Sequence, residues 1–293
     1  MDLRAIFMGI VFALMWSSAF TSARMIVVDA PPLMALSARF FLSGAIGVAI
    51  ALALGQTWRL TRAQWKSTAI FGLCQNALYL GLNFAAMQWV EASFASIIAS
   101  TMPLMVAVLG WALFRDKLPM VGVAGLVLGV IGVGVIMGAR LSGGADLMGV
   151  AFCFAGAMAL SIATLSVRGA SSGGNVLMIV GLQMLVGGVI LAVVSALIEV
   201  HTINWNTQLI LAFLYTTLVP GLIATWLWFK LVGRIGATRA ATFHFLNPFF
   251  GVLIAWIVLG EQMGWSDLLG VAVICAGILA VQLSKRPTPV PAS

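Results

Sequence analysis

The sequence predicts an all-α membrane protein: ten transmembrane helices, arranged as two inverted five-helix repeats around a central cavity. Three observations predict it. The first is composition. Of 293 residues, 62% are hydrophobic and 8% are charged, and the mean hydropathy is +1.12. A water-soluble domain carries about 25% charged residues, so nearly all of this chain lies in or beside a bilayer. The second is an internal copy. Residues Ala92 to Ile136 lie on Ala237 to Val281 without a gap, at a constant offset of 145 (Pro103 to Pro248, Gly125 to Gly270, Gly132 to Gly277). The third is charge. Arg115-Asp116-Lys117 becomes Gly260-Glu261-Gln262, and Val90-Glu91 becomes Ile235-Gly236 beside Arg234 and Arg239. A repeated apolar frame whose flanking charge reverses is what an inverted repeat requires.

A spanning helix needs about 20 mostly apolar residues. Cutting at charges and at Pro/Gly turns gives spans at 4–28, 33–54, 67–89, 92–114, 119–139, 146–167, 176–198, 207–231, 237–259 and 265–283. The first repeat is therefore 1–140 and the second 141–283. Residues 284–293 form a polar, Pro-rich tail expected to be disordered. The start of the chain has features of a signal peptide, with Ser17-Ser18-Ala19 as small residues. However, Phe7-Met8-Gly9-Ile10-Val11-Phe12 resembles Leu147-Met148-Gly149-Val150-Ala151-Phe152, so the segment belongs to the repeated architecture.

With the N-terminus in the cytoplasm, the turns on that side carry Arg4, Arg59, Arg62, Lys66, Arg115, Lys117, Arg168, Lys230, Arg234, Arg239, Lys285 and Arg286. The other side carries only Arg24 and Arg140, while collecting Asp29, Glu91, Asp146, Glu199, Glu261 and Asp267. By the positive-inside rule both termini are cytoplasmic, in a bacterial-type inner (plasma) membrane. The net charge of +7 is thus topology control rather than a nucleic-acid surface. Cys74, Cys153 and Cys275 all fall in apolar runs and are read as packing residues.

Within the spans, polar groups are few. Pro103 and Pro248 fall near the middle of spans 4 and 9, where proline removes a backbone donor; they are the expected hinges, with a static kink as the alternative. Asn76, Tyr79 and Asn83 share one face of span 3, which must turn away from lipid. Span 8 presents Tyr215, Val219, Leu222 and Trp226 on one face, and Trp228 aligns with Asn83. Trp89, Trp205 and Trp265 are read as interface anchors. His244 and Asn247 stand beside Pro248, and His244 is expected to be deep in the bilayer. Arg39 lies about six residues into span 2, ~9 Å deep. It is read as snorkelling outward or making a structural bond, with a substrate carboxylate as the other partner considered. Ser93, Ser96 and Ser100 make a small face on span 4, and Gly122, Gly125, Gly129 and Gly132 make one on span 5, both suited to close helix packing. Gly132-x-Gly134 is followed by no Lys-Ser/Thr, so it is not a nucleotide loop.

Ten spans in two inverted halves, with Trp16-Ser17-Ser18-Ala19-Phe20 in span 1, Arg39-Phe40 in span 2 and Pro103 or Pro248 in the fourth span of each half, resemble the EamA-type family of the drug/metabolite transporter superfamily. Within it, the chain is most similar to bacterial exporters of aromatic amino acids and related metabolites. The resemblance implies a central cavity built from spans 1, 3, 4, 6, 8 and 9, with spans 5 and 10 packed together at the periphery. Residues 8–16 run Met-Gly-Ile-Val-Phe-Ala-Leu-Met-Trp and lack the glutamate of the four-span small multidrug relatives, which argues against cationic-drug export and its proton coupling.

These readings give a functional expectation. The protein is a secondary transporter exporting small neutral metabolites, aromatic or other amino acids first, by alternating access without strong ion coupling. No acidic residue falls near mid-span to relay an ion. Trp16, Tyr79, Tyr215 and Trp226 would hold an aromatic ring. Ser17, Asn83 and Asn247 would hold the polar end. Asn76, Ser100 and His244 complete the candidate binding set. No cofactor, metal or ATPase subunit is expected, and the partners are the substrate and the bilayer. A proton-coupled exporter of drugs or nucleobases is the alternative. An intramembrane enzyme or receptor is the remote one, since no nucleophile–base pair or metal cluster is present in the sequence.

Overall fold

A computed structural model of the protein describes residues 3–115, 119–142, 146–166, 173–235, 240 and 242–284. The turn residues Asp116, Lys117, Arg168 and Arg239, and the tail from Lys285 to Ser293, lie outside the described residues. All regular structure among the described residues is helical. Among the described residues, nine helices are long and apolar enough to cross a membrane: Leu3–Asp29, Pro32–Ala53, Arg62–Ala86, Ala92–Phe114, Met120–Ala139, Leu147–Leu165, Val176–Ile198, Thr207–Ile235 and Trp265–Ser284. These are spans 1 to 8 and span 10. The shorter apolar helix Phe243–Leu259 is span 9.

Span ends follow local chemistry. Span 3 begins at Arg62, five residues earlier than the hydropathy cut at 67, because Thr61 and Gln64 close a capping box on its first turn. Span 2 begins on Pro32, whose missing N–H is harmless in a first turn. Its N-cap, Pro31, offers no side-chain acceptor. The Glu199 carboxylate at the end of span 7 supplies one, accepting from the Leu33 and Met34 N–H groups at 2.8 and 2.9 Å. The relationship is reciprocal: Gln56, just past the end of span 2, accepts the Met178 N–H in the first turn of span 7 at 3.0 Å. Spans 2 and 7 are therefore antiparallel partners, each capping the other. Ser37 also donates to the Gly188 carbonyl at 2.8 Å, and Gly44 meets Gly181 backbone to backbone.

Spans 5 and 10 form the second pair. A Cβ at Gly277 would sit 2.7 Å from the Gly125 carbonyl oxygen and 2.7 Å from the Gly129 nitrogen. Bare backbone is thus the contact surface, the membrane form of close helix association. Gly132 meets Gly270 in the same way. A third cross-half cap joins the repeats: Glu261 accepts the Ala92 and Ser93 N–H groups that open span 4, at 2.8 and 2.9 Å.

Four spans depart from regular α-helix. Span 4 breaks between Ser100 and Met102, and span 9 enters through a 3₁₀ turn, Thr242–Leu246. Pro103 and Pro248 follow these breaks in the first turn of a fresh helical segment, where a missing N–H goes unnoticed. The backbone at the span 4 break is satisfied locally: the Thr101 N–H and hydroxyl both donate to the Ile98 carbonyl, at 3.0 and 2.6 Å. Spans 3 and 8 each contain a π-helical stretch, Gly72–Leu80 and Thr217–Ile223. Gly72 and Thr217 are themselves 145 residues apart, so the repeat extends to backbone irregularity. The core between these elements is apolar and nearly continuous, with Phe12, Leu36, Phe40, Ile97, Ile98 and Ile274 almost wholly enclosed.

Candidate functional site

The irregular stretches surround a cavity of about 430 Å³. π-Helical turns are concentrated at functional positions because they widen the helix and leave carbonyls partly unpaired. Gln75, Asn76, Tyr79 and Leu80 of the first stretch line the cavity, and Pro220 and Gly221 of the second face them. Phe71, Val176, Ile179 and Gln183 carry the cavity toward the bundle face that holds the N-terminus.

One wall is aromatic. Phe12 stacks at a tilt on Trp228, 4.9 Å between centroids, and meets His244 edge-on at 5.3 Å; Trp16 lies 5.7 Å from Phe12. Such tilted and edge-on contacts suit aromatic quadrupoles and hold the wall rigid. His244 is fixed from behind, its Nδ1 2.9 Å from the Asn247 amide nitrogen. The facing wall supplies amides and hydroxyls: Gln75, Asn76, Gln183, Thr164 and Tyr79, with Thr225 one turn from Trp228 on span 8. Arg39 carries the formal charge, and no Asp or Glu stands among the described lining residues.

A septum of Trp16, Arg39, Tyr79, Leu80 and Pro220 separates this cavity from a second of about 50 Å³, lined beyond it by Phe20, Ala23, Asn83, Phe84 and Met87. Asn83 is fully buried there; its amide donates to the Tyr79 carbonyl at 2.8 Å while its Oδ1 has no partner. Gly156 of span 6 makes this strip possible, since a Cβ there would stand 3.0 Å from both the Asn83 amide and the Tyr79 carbonyl. Beyond the small cavity, Arg24 donates to the Met87 carbonyl. Arg24 also borders a polar depression of about 600 Å³ at the opposite face, with Glu91, Gln208 and Glu261. Three spaces thus lie in series, and side chains close the steps between them.

The expected site residues divide. Trp16, Asn76, Tyr79, Asn83 and His244 come together around the two cavities. Ser17 and Asn247 lie one layer behind, where the Ser17 hydroxyl donates to the Asn247 carbonyl at 3.2 Å. Ser100 is buried within span 4, donating to the Ser96 carbonyl at 2.7 Å. Tyr215 is 40% exposed on the outside of the bundle, hydrogen-bonded to Ser18 at 2.8 Å. Trp226 is 55% exposed, its ring 5.7 Å from the Lys230 ammonium. Both therefore stand apart from the cavity. The π-helical stretch at Thr217–Ile223 lies between them and breaks the regular turn count, so Tyr215 and Trp226 do not keep the shared face expected from the sequence. Trp228 is the tryptophan brought inward, and its signal was its alignment with Asn83. Phe12, Gln75 and Gln183 gave no such signal. Arg39 is not snorkelling; it is 6% exposed and lines both cavities.

The model of the EamA-like transporter family matches residues 3–138 and again 147–283. The chain belongs to this family. The two EamA matches are the two halves related by the cross-half caps. The chain is similar to the uncharacterized transporter YvbV of Bacillus subtilis, 25% identical over 93% of this chain and 90% of that one. It is also similar to the uncharacterized inner membrane transporter YedA of Escherichia coli K12, 28% identical over 96% of this chain and 92% of that one. A solved crystal structure, 21% identical, superposes with a TM-score of 0.68 over 97% of this chain and 98% of the other, which shows the shared fold. The EamA-like protein described here is therefore a multi-span membrane transporter, a family whose partners are a small-molecule substrate and the lipid bilayer.

Proposed function

We propose that the protein is an exporter of small metabolites with an apolar or aromatic body, amino acids first, working as a uniporter by alternating access. The observation that carries this reading is the two-sided cavity of about 430 Å³, aromatic on one wall and amide- and hydroxyl-rich on the other. Its volume lies within the ~300–1,000 Å³ range of small-molecule sites. Phe12, Trp16 and Trp228 suit a flat apolar side chain; Asn76, Tyr79 and Gln183 suit a polar head group. An intramembrane carboxylate is the usual proton or sodium relay, and none stands among the described lining residues. That supports movement down a gradient. The charge bias of the turns supports cytoplasmic termini, in an inner membrane like that of YedA. The main cavity then reaches the cytoplasm while the Arg24–Met87 contact closes the outer side.

An export assay tests the reading. Bacteria overproducing the chain are loaded with p-fluorophenylalanine, a toxic aromatic amino acid, and its intracellular level is followed. The expected result is faster efflux and raised resistance, both lost in Tyr79→Ala. Unchanged efflux in cells that display the protein in the membrane would reject it.

A further inference from the structure

Among the described residues lining the cavity, one cation stands without a counter-ion. Arg39 is 6% exposed, deep within span 2, and lines both the main cavity and the small one beyond the septum. Its Nε has no hydrogen-bond partner. No carboxylate lines either cavity among the described residues. The Phe40 ring lies 5.5 Å from the guanidinium carbon, a cation–π contact that steadies the group without neutralising it. Gly221 packs close beside it: a Cβ at that position would stand 3.4 Å from Nη2 and 3.2 Å from the Thr216 carbonyl oxygen.

A buried charge is ordinarily paired, because desolvating it alone is strongly unfavourable. A guanidinium presents a rigid planar fork matched to a carboxylate, which it binds through two parallel hydrogen bonds. We infer that Arg39 is the substrate's carboxylate anchor, so that the cargo is a monocarboxylate with an apolar body and its amino group is dispensable. This rests on the proposal that the cavity is the substrate site, and it sharpens the cargo's chemistry. The charge count supports one negative charge rather than two. Among the described lining residues Arg39 is the single Lys or Arg, so a phosphate monoester would leave excess charge in a desolvated place. An ammonium meets no opposing charge there. Phe12 and Trp228, which line the same space, take the apolar body.

The test uses purified full-length protein in lipid nanodiscs and four probes sharing one ring: 3-phenylpropionate, L-phenylalanine, phenethylamine and phenyl phosphate. Binding is read from the tryptophan fluorescence of the site. The expected order places 3-phenylpropionate and L-phenylalanine within about tenfold of each other, and phenethylamine at least about tenfold weaker, as loss of a charge-assisted pair implies. Arg39→Gln weakens both acids at least about tenfold and does not weaken phenethylamine, whose ammonium is relieved of a like charge, while Arg39→Lys keeps part of the acid binding. Phenethylamine binding as well as the acids overturns the inference. So do phenyl phosphate binding more tightly than the acids, unaltered acid binding in Arg39→Gln, or no binding of either acid to the unmodified protein. If Arg39→Gln fails to fold, the probe series on the unmodified chain still decides. Binding without flux in proteoliposomes would reject the transport proposal alone. Flux of L-phenylalanine untouched by Arg39→Gln would reject the anchor alone.

Discussion

The Ser17 hydroxyl in the first half donates to the Asn247 carbonyl in the second, 3.2 Å away and one residue before Pro248. Span 1 is thereby tied to span 9 where the 3₁₀ turn passes into a fresh α-helix. Alternating access needs the halves to rock about fixed elements, and a break in regular hydrogen bonding is where a helix can bend. Alanine at either proline removes the ring that keeps a continuous helix from running through the break, and so stiffens it. Pro248→Ala and Pro103→Ala should each lower counterflow by about tenfold, near 1.4 kcal/mol of barrier, while substrate binding is retained. Measuring flux and binding on the same preparations checks this; full flux in both variants would make the prolines static kinks.

The cross-half caps make a separate prediction about stability. Glu199 and Glu261 each satisfy two N–H groups at the start of a helix in the other repeat. Removing a side-chain cap costs about 1–2 kcal/mol. Glu199→Ala and Glu261→Ala should each lower the melting temperature in detergent, and Glu199→Gln, which keeps one acceptor, should lower it less. Equal melting of all variants would show that water or lipid head groups replace the carboxylates.

Glycine contact between spans 5 and 10 predicts a steeper loss. Any side chain at Gly277 meets the Gly125 carbonyl oxygen and the Gly129 nitrogen, neither of which can rotate away. Gly277→Val should destabilise the protein by about 1–3 kcal/mol through overpacking. Gly134 has nothing within 4 Å of its would-be Cβ, so Gly134→Ala serves as a control expected to melt like the unmodified chain.

How much of this was readable in the sequence depends on the length over which a signal is spread. The ten spans and their duplication were readable, because hydropathy over about 20 residues and a 145-residue offset each average out local accidents. The antiparallel halves followed from reversed charge at Arg115 and Gly260. Single side chains were harder. Tyr79, Asn76 and Asn83 turn into the bundle and line the two cavities, as the sequence suggests, because polar groups on one face of a membrane helix have few places to point. Tyr215 and Trp226 were placed with them by counting regular turns through Thr217–Ile223, and the π-helical stretch there breaks the count. Arg39 shows the opposite problem. A depth of ~9 Å at 1.5 Å per residue allows snorkelling; only the enclosure by Phe40, Tyr79 and Gly221 shows that the side chain turns inward. The caps from Glu199 and Glu261 join residues more than 160 positions apart, and nothing local announces them.

Ion coupling is open to direct trial. With no acidic side chain among the described residues lining the cavity, a proton gradient has no carboxylate there to act on. Proteoliposomes given an inward or outward pH step should bring labelled L-phenylalanine to equal concentrations on both sides and no further. Accumulation well above equilibrium would require a proton-linked cycle.

The central claim is that amino acid crosses the membrane through the cavity between the two repeats. Counterflow tests it most directly: proteoliposomes loaded with unlabelled L-phenylalanine are diluted into a trace of the labelled compound, with Trp228→Ala and Trp226→Ala run alongside. The account predicts a transient overshoot of label with the unmodified protein, its loss in Trp228→Ala, and its persistence in Trp226→Ala, whose ring lies outside the cavity. Label uptake no greater than in protein-free liposomes, or loss in Trp226→Ala with a full overshoot in Trp228→Ala, would contradict it.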